Sequence, residues 1–284
     1  MITEKIVGAV APEFMAAEMQ RARHKTAQSL DAWDLLMQAH WYLNRFDRES
    51  SLQAQKLLRQ TIALDPKNDL AFSDLAISYI IGLMWGWFEA HDEALKIASE
   101  AAKTAITLNE RNAAAWSALG RVDRSIGYYV DAVSKARRAL ELSPNTADSH
   151  CWLGGMLMFN GELEEAVSEL ETGIRLSPRD PFNAMWYAPM SVAHFLAGRY
   201  EECIRWCNKS FQDLPNTLPG MHRPMAAAYA MLDRMDEARG AIEILKTKIP
   251  NVSIEATRRQ LPFRKETDMA HFLDALRKAG LPEE

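Results

Sequence analysis

The chain has 284 residues, of which 48% are hydrophobic and 25% charged, and a formal net charge of −5. This is the composition of a globular protein, long enough for one repeat array or two ordinary domains, and it gives no reason to expect nucleic acid or an anionic membrane as a partner. Three cysteines are too few, and odd in number, for a disulfide framework.

Such cysteine usage suits a reducing compartment. No run approaches the ~18 apolar residues of a membrane span. The opening MITEKIVGAVAPEF carries Glu4 and Lys5 in its first turn and does not read as a signal peptide, so the location expected is cytoplasmic.

In chain order, residues 2–24 read as one helix with Ile6, Val10, Phe14 and Ala17 on its apolar face, and residues 1–30 as this helix plus a linker. The short basic cluster Arg21, Arg23, His24 and Lys25 is either a solvated helix end or an electrostatic docking site. Beyond Asp31 a phrase recurs: TIALDPKN, AITLNERN, ALELSPN, GIRLSPRD, SFQDLPN, ILKTKIPN. From Pro144 the prolines fall at Pro178, Pro215 and Pro250, spacings of 34, 37 and 35, while Glu110 replaces the proline of the second phrase.

Upstream of each phrase lie two helical segments with small residues at fixed places. One copy has Trp116, Leu119 and Gly120, then Ala132, Ala136 and Ala139. The next has His150, Leu153, Gly154 and Leu157, then Ala166, Leu170 and Gly173. A later one has Met225, Ala226 and Tyr229, then Ala238, Ile242 and Leu245. Tyr187, Met190, Ser191 and His194, followed by Cys203, Cys207 and Ser210, form a looser copy.

Small residues let paired helices approach, and proline prevents the second helix from continuing. The pattern resembles the tetratricopeptide repeat. The resemblance implies an all-α, right-handed superhelical solenoid, with about six hairpins over residues 31–250 and capping helices at both ends. The first two copies carry extra residues. The insert IIGLMWGWFEAHD is expected to lengthen the first helix of the second copy by two turns or more. Residues 251–284 read as a short helix, Ser253–Gln260, and an amphipathic one near Glu266–Ala279, whose Met269, Phe272, Leu273 and Leu276 share a face. Capping is their default role.

The stretch DAWDLLMQAHWYLNRFDRES, the LMWGWFE insert and the ending ATRRQLPFRKETDMAHFLDALRKAGLPE are similar to one further family. They resemble the C-terminal tetratricopeptide region of bacterial class III adenylate/guanylate cyclases and related winged-helix regulators, and the opening looks like the junction after a TolB-like domain. The resemblance implies a sensory or interaction region, because the repeats leave no room for a cyclase module.

Constellations that suggest chemistry read as packing. Cys203 and Cys207 share a helix face near His194, but a fourth zinc ligand is not evident. Adjacent His150 and Cys151 point about 100° apart on a helix. No glycine-rich phosphate loop occurs, and the pairs Glu164–Glu165 and Glu201–Glu202 sit at helix starts, where acids complement the dipole. No catalytic residue, metal or cofactor is expected.

Binding is expected on the face formed by the first helices. By phase that face presents Trp33, Leu36 and His40, then Ile77, then Arg121 and Arg124, then Phe159, Phe195 and Arg223. The Lys/Asn set with which some repeats clamp a terminal carboxylate is missing. Trp85 and Trp87 in the insert are a second candidate, either anchoring a partner or folding over their neighbours. The function expected is a non-catalytic scaffold for a protein or peptide, with self-association open. A small-molecule-sensing module is the alternative.

Overall fold

A computed structural model describes residues 17–21, 31–45, 47–88, 90–178, 183–213, 219–261 and 263–284. The expected helix over 2–24 therefore lies outside the described residues except for 17–21, which are helical, as do Arg23, His24 and Lys25. All the regular elements described are helical. The chain forms two compact units that divide after Ser149.

Unit one contains α1 (Ala32–Leu43), α2 (Arg48–Leu64), α3 (Asp69–Met84), α4 (His91–Leu108), α5 (Ala113–Ser125) and α6 (Tyr129–Leu142). The strongest packing is between consecutive partners α1/α2, α3/α4 and α5/α6. Asp31 opens α1 with a capping box: its carboxylate accepts from the Asp34 N–H at 2.9 Å while Asp34 accepts from the Asp31 N–H. Asn68 and Asn112 cap α3 and α5 more simply, each side-chain oxygen accepting from the N–H three residues on, that of Ala71 and of Ala115. The Asp65 and Asn109 side chains accept from the N–H two residues on. These side chains hold the turn between hairpins, which explains why Glu110 can stand where other copies carry proline.

α7 (Ala147–Asn160) starts just before the boundary. Unit two continues with α8 (Leu163–Leu176), α9 (Asn183–Leu196), α10 (Tyr200–Asp213), α11 (His222–Met231), α12 (Met235–Lys248), α13 (Ile254–Gln260) and α14 (Glu266–Ala279). At hairpin crossings the small residues are buried: Ala98, Ala102, Ala132, Ala166, Cys203 and Ala238 have at most 1% exposure. Gly154 is needed outright, because a Cβ there would lie 2.6 Å from Leu170 Cγ and 2.8 Å from the Ala166 carbonyl oxygen.

The insert behaves differently from expectation. α3 has 16 residues against 13 in α5, less than one extra turn, and α4 has 18 against 14 in α6. Gly86 adopts φ +67°, and the Trp87 N–H closes back onto the Gly82 carbonyl at 2.9 Å, which ends α3. The extra residues are shared between a loop and the second helix.

Candidate binding surfaces

On the first-helix face of unit one, few side chains are free. His40 on α1 meets Asp74 on α3 at 2.5 Å. Burial lowers the His40 pKa, but the Asp74 carboxylate outweighs it and the net shift is upward. Asn112 donates to Asp69 and Ser73, joining the starts of α5 and α3. Arg121 is buried, 3.9 Å from Asp148, and burial pulls its pKa down to about 10. Asp123 is taken by Lys135. Arg124 is half-buried and Ile77 packs partly against the core. Leu36, expected on the exposed face, is fully enclosed within the hydrophobic cluster of unit one. Trp33 remains 37% exposed, and its indole N–H donates to Glu18 at 3.0 Å.

The first-helix face of unit two is covered by the chain's own C-terminus. α14 packs chiefly on α11 and also touches α9 and α12. Its Phe272 and His271 rings lie 5.2 and 5.0 Å from the ring of Phe195. Phe263 meets Phe159 at 5.7 Å, and the Arg264 N–H donates to the Phe159 carbonyl at 3.0 Å. The chain end returns to α13 through Ile254 N–H to Pro282 O at 2.8 Å. Phe195 is therefore fully buried, a correction to its expected exposure. Met269, Phe272, Leu273 and Leu276 are at most 3% exposed, about 2 kcal/mol of gross burial each. Repeat phase could not foresee this, because the covering segment is not a repeat. Arg223 is likewise buried, donating to Gln260 Oε1 at 2.7 Å.

The cysteine and histidine candidates are separated by their partners. His194 Nδ1 accepts from Arg199 Nε at 3.0 Å, while the Cys203 thiol faces the Pro224 carbonyl at 3.4 Å. Burial, then Cys207, pushes the Cys203 thiol well up. His150 meets Glu169 at 2.6 Å, and Cys151 is enclosed. A shallow open groove of about 500 Å³ along α10 includes Arg205, Lys209 and Arg234. These cations pair with Glu202, Asp213 and Glu237.

A third surface joins the Trp85 and Trp87 candidate of the insert to residues that repeat phase does not single out. The bonds from Asn109 and Asn112 to Asp69 put the starts of α3 and α5 together. Their far ends therefore lie on one edge of unit one. There Met84 is 45%, Ile126 47%, Tyr128 59% and Val130 57% exposed. Trp85 and Trp87 stack beside Met84, half-buried, with centroids 6.4 Å apart. Phe88 instead turns inward, its ring against Gly82 and stacked on Tyr79 at 5.3 Å. The signal was present in the turn phrases. GYYVDA places Tyr128 and Val130 where GELEEA has Glu162 and Glu164, and GRYEEC has Arg199 and Glu201.

The stacked helical hairpins are those of tetratricopeptide-repeat proteins, and this is the fold of the chain. The Cut9–Hcn1 hetero-tetramer of the APC/C aligns with 88% of this chain and 43% of its own, at TM-score 0.66 and 16% identity. The Thermus thermophilus tetratricopeptide-repeat protein TTC0263 aligns with 69% of this chain and 98% of its own, at TM-score 0.53 and 18% identity. Pseudomonas aeruginosa PilF aligns with 71% and 90%, at TM-score 0.52 and 17% identity.

No family model matches the sequence. Over 150 residues the chain is 29% identical to the transcriptional regulator HilA of Salmonella typhimurium, with the same figures for that of Salmonella typhi. The match covers 53% of this chain and spans about a quarter, 27%, of those regulators. Among the described residues, no helix is long and apolar enough to cross a membrane.

Proposed function

We propose that the chain is a non-catalytic protein-interaction scaffold that docks a partner protein on the turn edge of unit one, at Met84, Trp85, Trp87, Ile126, Tyr128 and Val130. The observation that carries this reading is the exposure of Ile126, Tyr128 and Val130 around the α5–α6 turn, with Tyr128 and Val130 standing where sister turns carry charge. Contiguous exposed apolar side chains mark interaction sites, and Trp and Tyr are favoured as binding hot spots. The first-helix faces are poorer candidates. In unit two that face is filled by α14, and in unit one its polar groups are largely engaged with one another.

The finer reading is that the scaffold is the regulatory region of a transcription-regulator or nucleotide-cyclase-like system. It is supported by the match to a transcriptional regulator and by the resemblance of the insert and ending to regulators of both kinds. Affinity capture with the wild-type chain and with a Trp87→Ala/Tyr128→Ala variant tests the docking site. The reading expects a reproducible partner, retained by the wild type and lost from a variant whose circular dichroism is unchanged. Equal retention by both proteins removes the turn edge from consideration.

A further inference from the structure

The turn edge of unit one is acidic as well as apolar. Residues 84–94 and 125–134 include Glu89, Asp92, Glu93 and Asp131 and no lysine or arginine. Asp92 and Glu93 stand in the first turn of α4, just after the Trp85–Trp87 stack, and Asp131 in the first turn of α6, just after Tyr128 and Val130. All three are exposed. Acids at helix starts complement the dipole, but elsewhere in the chain such acids also find an arginine. Glu164 meets Arg199, Glu202 meets Arg205, Asp236 meets Arg239 and Glu237 meets Arg234, each within 4.0 Å. On the turn edge, Asp92 lies 3.7 Å from His91, and among the described residues no lysine or arginine pairs with Asp92, Glu93 or Asp131. The next cations along the two helices are committed elsewhere: Lys96 turns to Glu100 and Lys135 to Asp123.

The aromatic side chains follow the same pattern. In the α1–α2 turn the Arg45 guanidinium stands over the Trp41 ring at 5.1 Å, and in the α11–α12 turn Arg234 stands over Tyr229 at 4.6 Å. Among the described residues no cation stands over Trp85, Trp87 or Tyr128. The face of an aromatic ring attracts a cation, and a neighbouring carboxylate adds direct attraction of the same sign. The turn edge therefore offers rings and acids together, each without the cation that the other turns supply from within the chain.

Apolar contact alone would accept any hydrophobic partner. Carboxylates beside the patch select by charge, repelling an acidic segment and drawing a basic one. Arginine suits the site better than lysine, because its planar guanidinium stacks on a ring while its N–H fork reaches a carboxylate. Given the turn edge as the docking surface, on which this step rests, we infer that its occupant is a basic protein segment. Arginine side chains of that segment lie against the Trp85–Trp87 stack and Tyr128, with their charge toward Asp92, Glu93 and Asp131, and its apolar side chains meet Met84, Ile126 and Val130.

The test titrates the full chain with a short capped peptide of alternating leucine and arginine and follows the indole N–H signals of Trp85 and Trp87 by NMR. The control peptide carries glutamate in place of arginine. The arginine peptide shifts both signals saturably and the glutamate peptide does not. A Glu93→Gln/Asp131→Asn variant, altered only at exposed side chains and checked for fold by circular dichroism, binds the arginine peptide about fivefold more weakly. Added salt weakens binding to the wild type more than to the variant. Equal binding of the two peptides, a variant that binds as tightly as the wild type, or signals that do not shift saturably would overturn the inference. Failure of the docking surface itself looks different. A captured partner that needs Trp87 and Tyr128 but is indifferent to Glu93→Gln/Asp131→Asn keeps the turn edge and overturns its preference for a cation; one that needs neither Trp87 nor Tyr128 removes both.

Discussion

Two adjacent glycines in α7 make opposite predictions. A Cβ on Gly155 meets nothing within 4 Å, whereas one on Gly154 would lie 2.6 Å from Leu170 Cγ and 2.8 Å from the Ala166 carbonyl. Both residues are helical, so alanine gains about 1 kcal/mol of helix propensity at either place. At Gly155 that gain stands alone, and Gly155→Ala raises stability by about 1 kcal/mol. At Gly154 the obstacle includes backbone, which cannot rotate aside, so the two helices must separate. Overpacking of this kind costs about 1–3 kcal/mol, and with Leu170 fully buried the upper half of that range applies. Gly154→Ala is therefore destabilising by about 1–2 kcal/mol net. Urea unfolding followed by circular dichroism measures both. If Gly154→Ala were as stable as Gly155→Ala, α7 and α8 would not cross at this point.

His40 next to Asp74 makes stability pH-dependent with a definite sign. The folded pKa is raised above the ordinary 6.5, so the contribution is complete below that value and is lost as pH rises through the folded pKa. His194 and His222 are shifted downward, by burial first, and act in the opposite sense, so the comparison must be between wild type and His40→Gln. The Tm difference between them narrows from pH 5.5 to pH 8, and a difference that does not change would dismiss the pair. The three thiols, Cys151, Cys203 and Cys207, are all buried. Ellman's reagent labels them slowly in the native chain and fully in denaturant, since only accessible thiolate reacts. Rapid native labelling would contradict their packing.

The hairpin architecture was legible because it depends on local rules that repeat. Gly120, Gly154 and the alanines of the second helices occur wherever two helices touch. The 34–37-residue phrase spacing reflects a fixed hairpin length. The binding surface was less legible, for three physical reasons. Repeat phase treats a first-helix position as free unless another repeat covers it, so Phe195 was assigned to an open face that α14 occupies. Phase alone leaves two readings for a charged groove residue, contact with a partner or pairing with an acid of the same chain, and His40 and Arg121 face Asp74 and Asp148. The insert looked like continuous helix because its residues are apolar, and the single left-handed Gly86 redirected it. By contrast, Tyr128 and Val130 could have been found by aligning the turns rather than the helices.

The claim that the turn edge is the binding surface is tested most directly by a photo-crosslinking amino acid at Tyr128, with one at Glu171 as control and one at Trp33 to sample the first-helix face. The account predicts a discrete crosslinked partner from position 128, abolished by Trp87→Ala, and no crosslink from position 171. Crosslinking from position 33 with none from 128 would contradict it and return the site to the face formed by the first helices.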